Sequence, residues 1–481
     1  MRLYNSLTHS IDELKPVHGK KIGMYTCGPT VYDHAHIGNF RTFIMEDLLK
    51  RVLLHEGYDV KHVMNITDVG HLVGDGNIGE DKLLKTAKEE HKSMSQVAEF
   101  YTKRFLEDSR KLNLTEPAVL CKATDHIREM LDMIDVLDMK GFIYKISTGM
   151  YFDTSKLSDY GVLMGMTFER LNKSLIQGAR VEKVEGIRNK TDFAVWRFLD
   201  TESGEMEWDS KYGRGFPGWH IECSAISMKY LGKQFDIHCG GVDHLPIHHT
   251  NEIAQSEAAN GKNPARFWWH AEFLMVDGRK MSKSLGNFYT IESLEEKGYT
   301  PAAFKYLILS GHYKQQSNFT LEAMNNASNT LKGIYSFLRA LEDADSDGSN
   351  QKFINEMEEH KHEFFSELAN DLNTPKAFAA MHSIISGTNK RLKAGSLSPA
   401  DAGQIRRMML EIDEVLGLGF GVQMKSSHDD LPDGAKELLK RRESARDRKD
   451  FKESDKIRKE LLEKYNITVE DTKSGTKWHF S

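Results

Sequence analysis

The N-terminal part of the chain contains a strand, a helix and a second strand in direct succession, and this order limits the possible folds more than any other feature. The first strand-like segment is KKIGMYTCGP, the helical segment is FRTFIMEDLLKRVLLHEGY, and the second strand is YDVKHVMNIT. Two strands joined through a helix form half of a parallel nucleotide-binding sheet, whose ligands lie beyond the carboxyl ends of the strands. We therefore expect functional side chains directly after the strands.

The rest of the chain predicts further domains. Its 481 residues exceed the size that one hydrophobic core normally organises. Strand character returns in KQFDIHCGGVDH after an irregular stretch, so we expect an insertion that splits one sheet into two halves. The predicted fold class is α/β, with a Rossmann-like parallel sheet split by an insertion and followed by an α-helical bundle and a small C-terminal α+β module. The predicted segments are 1–115 (first half of the Rossmann-like domain), 116–201 (connective insertion), 202–290 (second half), 291–345 (helical region), 346–425 (helical bundle) and 430–481 (C-terminal module).

The composition is that of a folded, water-soluble protein, because 39% of the residues are apolar and 28% are charged. The sequence has neither a long uninterrupted apolar stretch nor the pattern of a secretion signal, so we expect a cytoplasmic location and no membrane partner. The four cysteines are widely scattered, which favours reduced thiols available to a metal over a disulfide framework. The net charge is −6, yet residues 431–481 carry 14 Lys and Arg against 11 Asp and Glu, or +3, so any nucleic-acid contact there should be local.

Two segments carry groups suited to phosphate. His36, Gly38 and Asn39 lie at a turn into the predicted helix, where glycine allows close backbone approach and a helix N-terminus favours an anion. Lys280 and Lys283 lie in the loop KMSKS, where two ammonium groups can follow charge that builds toward pyrophosphate. Singly, these segments are also typical of a capped helix start and a solvated turn. In this order they resemble the two signature motifs of class I aminoacyl-tRNA synthetases, which implies that His36, Asn39, Lys280 and Lys283 bind ATP and act in catalysis.

Four further residues resemble the metal ligands of the cysteinyl members of that class. They are Cys27 in TCGPTVYD, Cys223 in GWHIECS, and His248 and Glu252 in HHTNEIAQSE. If the last segment is helical, His248 and Glu252 share a face and can bind one ion. Singly, each residue is more typical of packing or of a surface contact, but together they suit one zinc ion per chain. His249 is the alternative imidazole, although the position within the family favours His248.

The same resemblance implies a reason for the zinc. A pocket separates cysteine from serine, alanine or threonine poorly by shape, since small differences contribute only about 1–3 kcal/mol. A metal that binds thiolate distinguishes sulfur from oxygen, so no editing domain is expected. The resemblance also places Thr67, Trp219 and His238 at the cysteine substrate and Asp243 at ATP. Cys239 is interpreted as a small packing residue, with an extra thiol near the metal as the alternative.

The resemblance extends over the whole chain. The segment ANDLNTPKAFAAMHSI is similar to the helical domain of the family, the region 291–345 is expected to be like its stem-contact region, and the C-terminal module is similar to its anticodon-binding domain. Aromatic rings, guanidinium groups and carboxylates can recognise unstacked bases. Individually, such residues also occur on the solvated face of an ordinary amphipathic helix. The residues expected to contact the anticodon are Arg446, Phe451, Asp455, Arg458 and Asp471.

The function implied by the resemblance is the activation of L-cysteine with ATP, accompanied by magnesium, and its transfer to the terminal adenosine of tRNA(Cys). A monomer is favoured. One alternative is a related ligase that joins activated cysteine to a small amine, as in mycothiol synthesis, but such an enzyme has no use for an anticodon module. A second alternative is an inactive RNA-binding paralogue, which should have lost metal-binding or signature residues that are intact here.

Overall fold

The strand, helix and second strand predicted near the N-terminus are present in the computed structural model. The structure describes residues 1–70, 82–171, 185–198, 205–282, 286–423, 431–465, 467–472 and 475–480. The chain divides into two compact units, of which the first comprises Met1–Asn329 with His362–Met381 and the second Thr330–Lys361 with His382–Ser481. Within the described ranges, no helix is both long enough and apolar enough to cross a membrane.

Strands and helices alternate through the first part of the chain, and helices dominate after it. The strands are, in chain order, β1 (Arg2–Asn5), β2 (Ser10–Glu13), β3 (Lys21–Thr26), β4 (Asp59–Ile66), β5 (Val119–Lys122), β6 (Ile143–Ile146), β7 (Gly149–Phe152), β8 (Phe193–Phe198), β9 (Gly215–Pro217), β10 (Phe235–Gly241), β11 (Ala265–Ala271), β12 (Leu274–Val276), β13 (Ser317–Phe319), β14 (Ile467–Thr472) and β15 (Gly475–Phe480). The helices are α1 (Ile37–His55), α2 (Lys82–Glu90), α3 (Met94–Lys111), α4 (Ile127–Met139), α5 (Trp219–Leu231), α6 (Thr250–Asn260), α7 (Ile291–Glu296), α8 (Pro301–Leu309), α9 (Leu321–Ala340), α10 (Gln351–Ala369), α11 (Thr374–Lys393), α12 (Pro399–Leu416), α13 (Phe420–Gln423), α14 (Asp433–Asp447) and α15 (Phe451–Tyr465). The predicted α/β class is confirmed.

Five strands of the first unit form a parallel sheet in the order β11-β10-β3-β4-β5. The chain runs from β3 outward to β4 and β5, and then returns to the other side of β3 for β10 and β11. The reversal between β3 and β10 is a topological switch point, where open parallel sheets bind ligands beyond the strand ends. β3 ends at Thr26 and β10 ends at Gly241, so the residues that follow these two positions flank the expected ligand crevice.

Two short strands lie outside the segments in which the sequence places their sheets. β5 follows residue 115, where the first half of the Rossmann-like domain is predicted to end, yet it pairs with β4 from Val119 to Lys122. The connection between β5 and β10 contains an antiparallel sheet in the order β6-β7-β8-β9. β9 belongs to this sheet, although it follows residue 201, the predicted end of the insertion. Strands of three or four residues have too little periodicity to be recognised, and their partners are distant in sequence.

The two faces of the parallel sheet have different surroundings because successive side chains of a strand point to opposite sides. Tyr25, Val63 and Cys121 belong to an apolar core that also contains residues of α4 and α5. Thr26 and His62 point to the other side and contact each other, with 2.9 Å between Oγ1 and Nε2. Residues of α1 and α3 lie next to His62 on that side. We call these sides the α5 face and the α1 face.

The C-terminal module in the second unit has a core of its own. α14 and α15 pack with β14 and β15 around Leu439, Leu461, Ile467 and Trp478. β14 and β15 form an antiparallel hairpin. The two helices and the hairpin give this module the predicted α+β character.

Candidate functional site

A buried cluster of sulfur, nitrogen and oxygen atoms lies at the switch point of the parallel sheet. Cys27 follows β3, Cys223 is in the second turn of α5, His248 precedes α6 and Glu252 is in its first turn. One ligand atom from each of these residues lies within 4.8 Å of the other three, and all four residues are buried. The structure thus brings together the four residues that the sequence predicted as metal ligands. We refer to them as the thiol cluster.

The orientation of His248 is fixed by the backbone and by two neighbouring rings. Leu245–His249 form a π-helical turn that leads directly into α6, a rare geometry that is found most often at functional sites. Nε2 of His248 lies 3.1 Å from Oε1 of Glu252, and Nδ1 lies 3.0 Å from Nδ1 of His220. The half-buried Trp219 ring packs on His248 with 4.3 Å between centroids. A histidine held through its second nitrogen is typical of metal ligands.

The distances within the thiol cluster fit a tetrahedral zinc ion. Two sulfur atoms, each about 2.3 Å from zinc, lie about 3.8 Å apart in a regular tetrahedron. The Sγ atoms of Cys27 and Cys223 are 3.9 Å apart, and Sγ of Cys27 lies 4.0 Å from Oε1 of Glu252. Thiolate, imidazole and carboxylate are the ligand types that zinc binds in proteins. The four residues therefore match zinc in both chemistry and spacing.

A second set of ligand atoms overlaps the thiol cluster. Cys27, His238, His249 and Glu252 also lie within 4.8 Å of one another. Nε2 of His249 is 3.3 Å from Sγ of Cys27, and its Nδ1 is 2.7 Å from Nε2 of His270. The sequence left open whether His248 or His249 is the metal ligand. In the structure, His249 lies beside Cys27 and His248 lies beside Glu252. Of the two, His248 belongs to the set that contains both thiols.

The acidities of the cluster residues differ because their neighbours differ. Burial raises the pKa of Cys27 well above its usual value, and the adjacent Cys223 and Glu252 act in the same direction. Burial also acts to raise the pKa of Cys223, but the hydrogen bond from Cys27 and the nearby His248 lower it to about 6. For Glu252, burial is outweighed by His238 and His248, which lower the carboxyl pKa to about 2. Cys223 is therefore the thiol that ionises first, beside a carboxylate that is already ionised.

Thr67, which the sequence predicts at the cysteine substrate, leads to a residue that the prediction missed. Its hydroxyl donates to Oε1 of Glu222 at 3.1 Å and accepts from Nδ2 of Asn65 at 3.0 Å. Glu222 is buried next to Cys223, and its Oε2 atom has no hydrogen-bond partner among the described residues. Burial raises the carboxyl pKa of Glu222 well above its usual value, and Cys223 adds to this effect. An acidic residue directly before the predicted metal ligand Cys223, in the segment WHIECSAIS, is the sequence signal that could have revealed it.

His238 lies behind the thiol cluster. It is fully buried, stacks on Trp268 with 4.5 Å between ring centroids, and places Nε2 2.8 Å from Oε2 of Glu252. Its direct neighbour in the site is thus a cluster carboxylate, and its expected contact with substrate stays a prediction.

Cys239 lies on the opposite side of the sheet from the thiol cluster. It is paired with Thr26 of β3, whereas the preceding His238 is paired with Tyr25 on the α5 face. Cys239 is fully buried and belongs to neither set of candidate metal ligands. Burial raises the pKa of its thiol well above the usual value. This position agrees with the interpretation of Cys239 as a small packing residue.

The start of α1 meets the signature loop. His36 and Asn39 cap the helix reciprocally: the Asn39 amide donates to Nδ1 of His36 at 3.1 Å, and the His36 amide donates to Oδ1 of Asn39 at 3.0 Å. A Cβ atom at Gly38 would lie about 3.0 Å from the His36 ring and 3.3 Å from Cε of Met281, so the glycine leaves room for these two side chains to approach closely. The two signature segments are therefore adjacent in space. Lys280 is exposed beside them.

Asn287 holds the two ends of the signature loop together. Its Oδ1 accepts from the Ser282 amide at 2.8 Å, and its Nδ2 donates to the Lys280 carbonyl at 3.2 Å. Lys283 lies outside the described residues. Asp243 is exposed just beyond the carboxyl end of β10. Burial lowers the pKa of His36, and the charge of Asp243 acts in the opposite direction. Asp243 and Lys280 thus belong to the same open region as the start of α1.

The residues predicted to contact an anticodon separate into two groups. Phe451, Asp455 and Arg458 are exposed on one face of α15, at positions i, i+4 and i+7. Arg446 forms an ion pair with Asp471 of the hairpin. Arg442 binds the same carboxylate through both nitrogens, at 3.0 and 2.8 Å, and it is only 2% exposed. The prediction missed Arg442, although its spacing of one helical turn before Arg446 was visible in the sequence.

Three protein-family models match consecutive parts of the chain. The model for the class I (C) tRNA synthetase catalytic domain matches residues 13–329, which include the thiol cluster and both signature segments. The model for the DALR domain matches residues 363–421. The model for the cysteinyl-tRNA ligase anticodon binding domain matches residues 428–478.

Curated relatives and solved structures agree with these matches. The chain is 42% identical over 480 residues to cysteine–tRNA ligase 1 of Burkholderia lata, covering 99% of this chain and 96% of the relative. It is 39% identical over 505 residues to the cysteine–tRNA ligase of Treponema denticola, covering 99% of each. The fold is shared with a solved structure, that of Mycobacterium tuberculosis methionyl-tRNA synthetase in complex with methionyl-adenylate. The TM-score is 0.60 at 15% sequence identity, and the match covers 86% of this chain and 92% of that one. The chain therefore belongs to the cysteine–tRNA ligase family of class I aminoacyl-tRNA synthetases.

Proposed function

We propose that this protein activates L-cysteine with ATP, releases pyrophosphate, and transfers the cysteinyl group to the terminal adenosine of tRNA(Cys). The observation that carries this proposal is the thiol cluster at the switch point of the parallel sheet. The match to curated cysteine–tRNA ligases over nearly the whole chain supports the same reaction.

We further propose that Cys27, Cys223, His248 and Glu252 hold one zinc ion that recognises the substrate thiol. A zinc ion bound there supplies a soft Lewis acid that favours a thiolate over a hydroxyl. The buried Glu252 carboxylate and the low pKa of Cys223 favour binding of a cation by the protein. Trp219 packs on His248, so its ring lies beside the cluster, where the side chain of the substrate is proposed to bind.

ATP is proposed to bind at the start of α1. His36 and Asn39 define that end of the helix, and the helix N-terminus attracts phosphate. Lys280, and with it Lys283, would neutralise the charge that develops on pyrophosphate as the bond to the α-phosphate breaks. The carboxylate of cysteine attacks the α-phosphate in this step, so the main task of the protein is to position both reactants and to stabilise charge. Asp243 would orient the ribose, and magnesium would accompany ATP.

The C-terminal module is proposed to bind the anticodon of tRNA(Cys). Phe451 offers an exposed ring on which a base can stack, and Asp455 and Arg458 lie on the same face. Arg442 and Arg446 hold Asp471 in place at the edge of the hairpin. The match of residues 428–478 to an anticodon-binding domain supports this proposal.

The experiment that tests the proposed function has two parts. The first is ATP–pyrophosphate exchange with purified protein, comparing cysteine with serine and the other amino acids. The second is charging of a tRNA(Cys) transcript with cysteine. Exchange with cysteine alone, together with charging, is the expected result. Exchange without charging would favour the small-amine ligase, and an absence of exchange in folded protein would favour an RNA-binding paralogue.

A further inference from the structure

A cavity lies on the α1 face, on the opposite side of the sheet from the thiol cluster. Its volume is about 50 Å³, and it is bounded by α1, α3, β4 and the segment that enters β5. Phe43, Met64, Phe105 and Leu120 give it mostly apolar walls. A single water requires on the order of 10–15 Å³, so the cavity has room for about four non-hydrogen atoms.

One wall of this cavity carries a carboxyl group with an unusual environment. Glu46 is 2% exposed, and neither of its carboxyl oxygens has a hydrogen-bond partner among the described residues. Burial raises its pKa well above the usual value, which favours the protonated form, and a protonated carboxyl group can both donate and accept a hydrogen bond. Two buried lysines of this region are engaged elsewhere: Lys305 binds the neighbouring Asp47, and Lys50, one helical turn after Glu46, donates to the Glu116 carbonyl at 2.7 Å. Buried polar groups in folded proteins nearly always have partners, so the missing partner calls for a ligand or water.

A second polar group faces the same space. His62 is 5% exposed and lines the cavity. Its Nε2 lies 2.9 Å from the Thr26 hydroxyl, and its Nδ1 has no partner within the described part of the chain. Burial, with Lys50 nearby, lowers its pKa to about 3, so the imidazole is uncharged at neutral pH.

The cavity also has an opening to solvent. Leu120, at its edge, is 37% exposed. Arg110 and Glu116 line the cavity and form an exposed ion pair with 3.6 Å between Nε and Oε1. Because exposed ion pairs contribute little free energy, this pair can open to admit a small molecule.

We propose that this cavity is a binding site for a small uncharged molecule that has a short apolar part and a group able both to donate and to accept hydrogen bonds, such as a primary amide. The carbonyl oxygen and the amino group of an amide complement the hydroxyl and carbonyl oxygen of a neutral carboxylic acid, here that of Glu46. The apolar part would lie against Phe43 and Phe105. The site is separate from the thiol cluster and from the ATP region, and it goes beyond the proposed ligase reaction.

The test uses three probes of nearly equal shape: acetamide, acetate and acetamidinium. Binding of each to the full chain is measured by ligand-detected NMR titration. We expect acetamide to bind with a dissociation constant on the order of millimolar, as suits a ligand of about four non-hydrogen atoms. Acetate and acetamidinium should bind at least about tenfold more weakly, because each must lose its hydration against mostly apolar walls and the charged lining residues Arg110 and Glu116 already pair with each other.

Two leucine variants locate the site. Leu120→Phe fills the cavity with a larger ring and should abolish acetamide binding, whereas Leu54→Phe changes an exposed position of α1 outside the cavity and should leave it unchanged. Glu46→Leu should weaken acetamide binding at least about tenfold by removing the polar partner. The inference would be overturned by no acetamide binding to the unmodified chain, by tighter binding of acetamidinium or acetate, or by equal binding to the Leu120→Phe variant.

Discussion

Replacement of Asp47 by Asn is expected to destabilise the first unit strongly. Asp47 is buried on α1, and its carboxylate lies 3.1 Å from Nζ of Lys305 and 2.8 Å from Nε of Arg51. It also accepts hydrogen bonds from the amide and hydroxyl of Thr115 at 2.8 and 2.7 Å. Asn keeps the size of the side chain but removes its charge. Because Lys305 is only 1% exposed, its ammonium group would remain buried without a counter-charge.

The magnitude can be worked out in two ways. Breaking a buried pair by removing one partner typically costs about 3–5 kcal/mol. Burial acts to raise the pKa of Asp47, but Lys305 and Arg51 lower it to about 2 from the usual 3.8. A difference of about 1.8 pK units corresponds to about 2–3 kcal/mol at neutral pH. Because the folded-state pKa is the lower one, this stabilisation is present above about pH 4 and is lost as the pH falls toward 2.

The assay is urea unfolding followed by tryptophan fluorescence, which reports mainly on the first unit because five of the six tryptophans lie before residue 270. We expect Asp47→Asn to lower the free energy of unfolding at pH 7 by about 3 kcal/mol. Glu292→Gln is the control, because the Arg104–Glu292 pair is exposed and contributes at most about 1 kcal/mol. The reasoning is refuted if the two variants are equally stable, or if the loss for Asp47→Asn does not shrink as the pH approaches 2.

Three further predictions concern function. Cys223→Ser should abolish bound zinc, whereas Cys239→Ser, an equally buried change on the other side of the sheet, should retain it. Metal analysis of both variants checks this prediction, and equal zinc content would contradict the assignment of Cys223 as a ligand. His248→Ala should lower zinc affinity more than His249→Ala, as measured by competition with a chelator, and the reverse order would favour the second ligand set. Phe451→Ala should weaken tRNA(Cys) charging, because about 1–3 kcal/mol of base stacking is lost, and it should leave cysteine-dependent ATP–pyrophosphate exchange unchanged. A parallel loss of exchange would refute the role of Phe451 in binding the anticodon.

Much of the fold was predictable from local pattern. The continuous apolar runs around Met24 and Val63 and the helical periodicity between them are properties of short segments, so β3, α1 and β4 could be predicted. The sequence also predicted that an insertion splits the parallel sheet into two halves, and β10 and β11 do follow such an insertion. β5 and β9 could not be predicted because their pairing depends on strands far away in sequence.

The candidate site was predictable where motif spacing reflects spatial proximity. The resemblance singled out Cys27 and Cys223, which lie far apart in sequence. The parallel sheet brings their sulfur atoms together. Glu222 and Arg442 escaped the prediction because their importance comes from a buried partner contributed by another element, Thr67 for one and Asp471 for the other. Such contacts exist only after the chain has folded.

The most direct test of the central claim is zinc X-ray absorption spectroscopy on the full chain, recorded alone and with saturating cysteine or serine. The account predicts two sulfur ligands, from Cys27 and Cys223, in the protein alone and with serine, and one additional sulfur ligand with cysteine. An unchanged number of sulfur ligands with bound cysteine would contradict the proposal that the zinc ion recognises the substrate thiol.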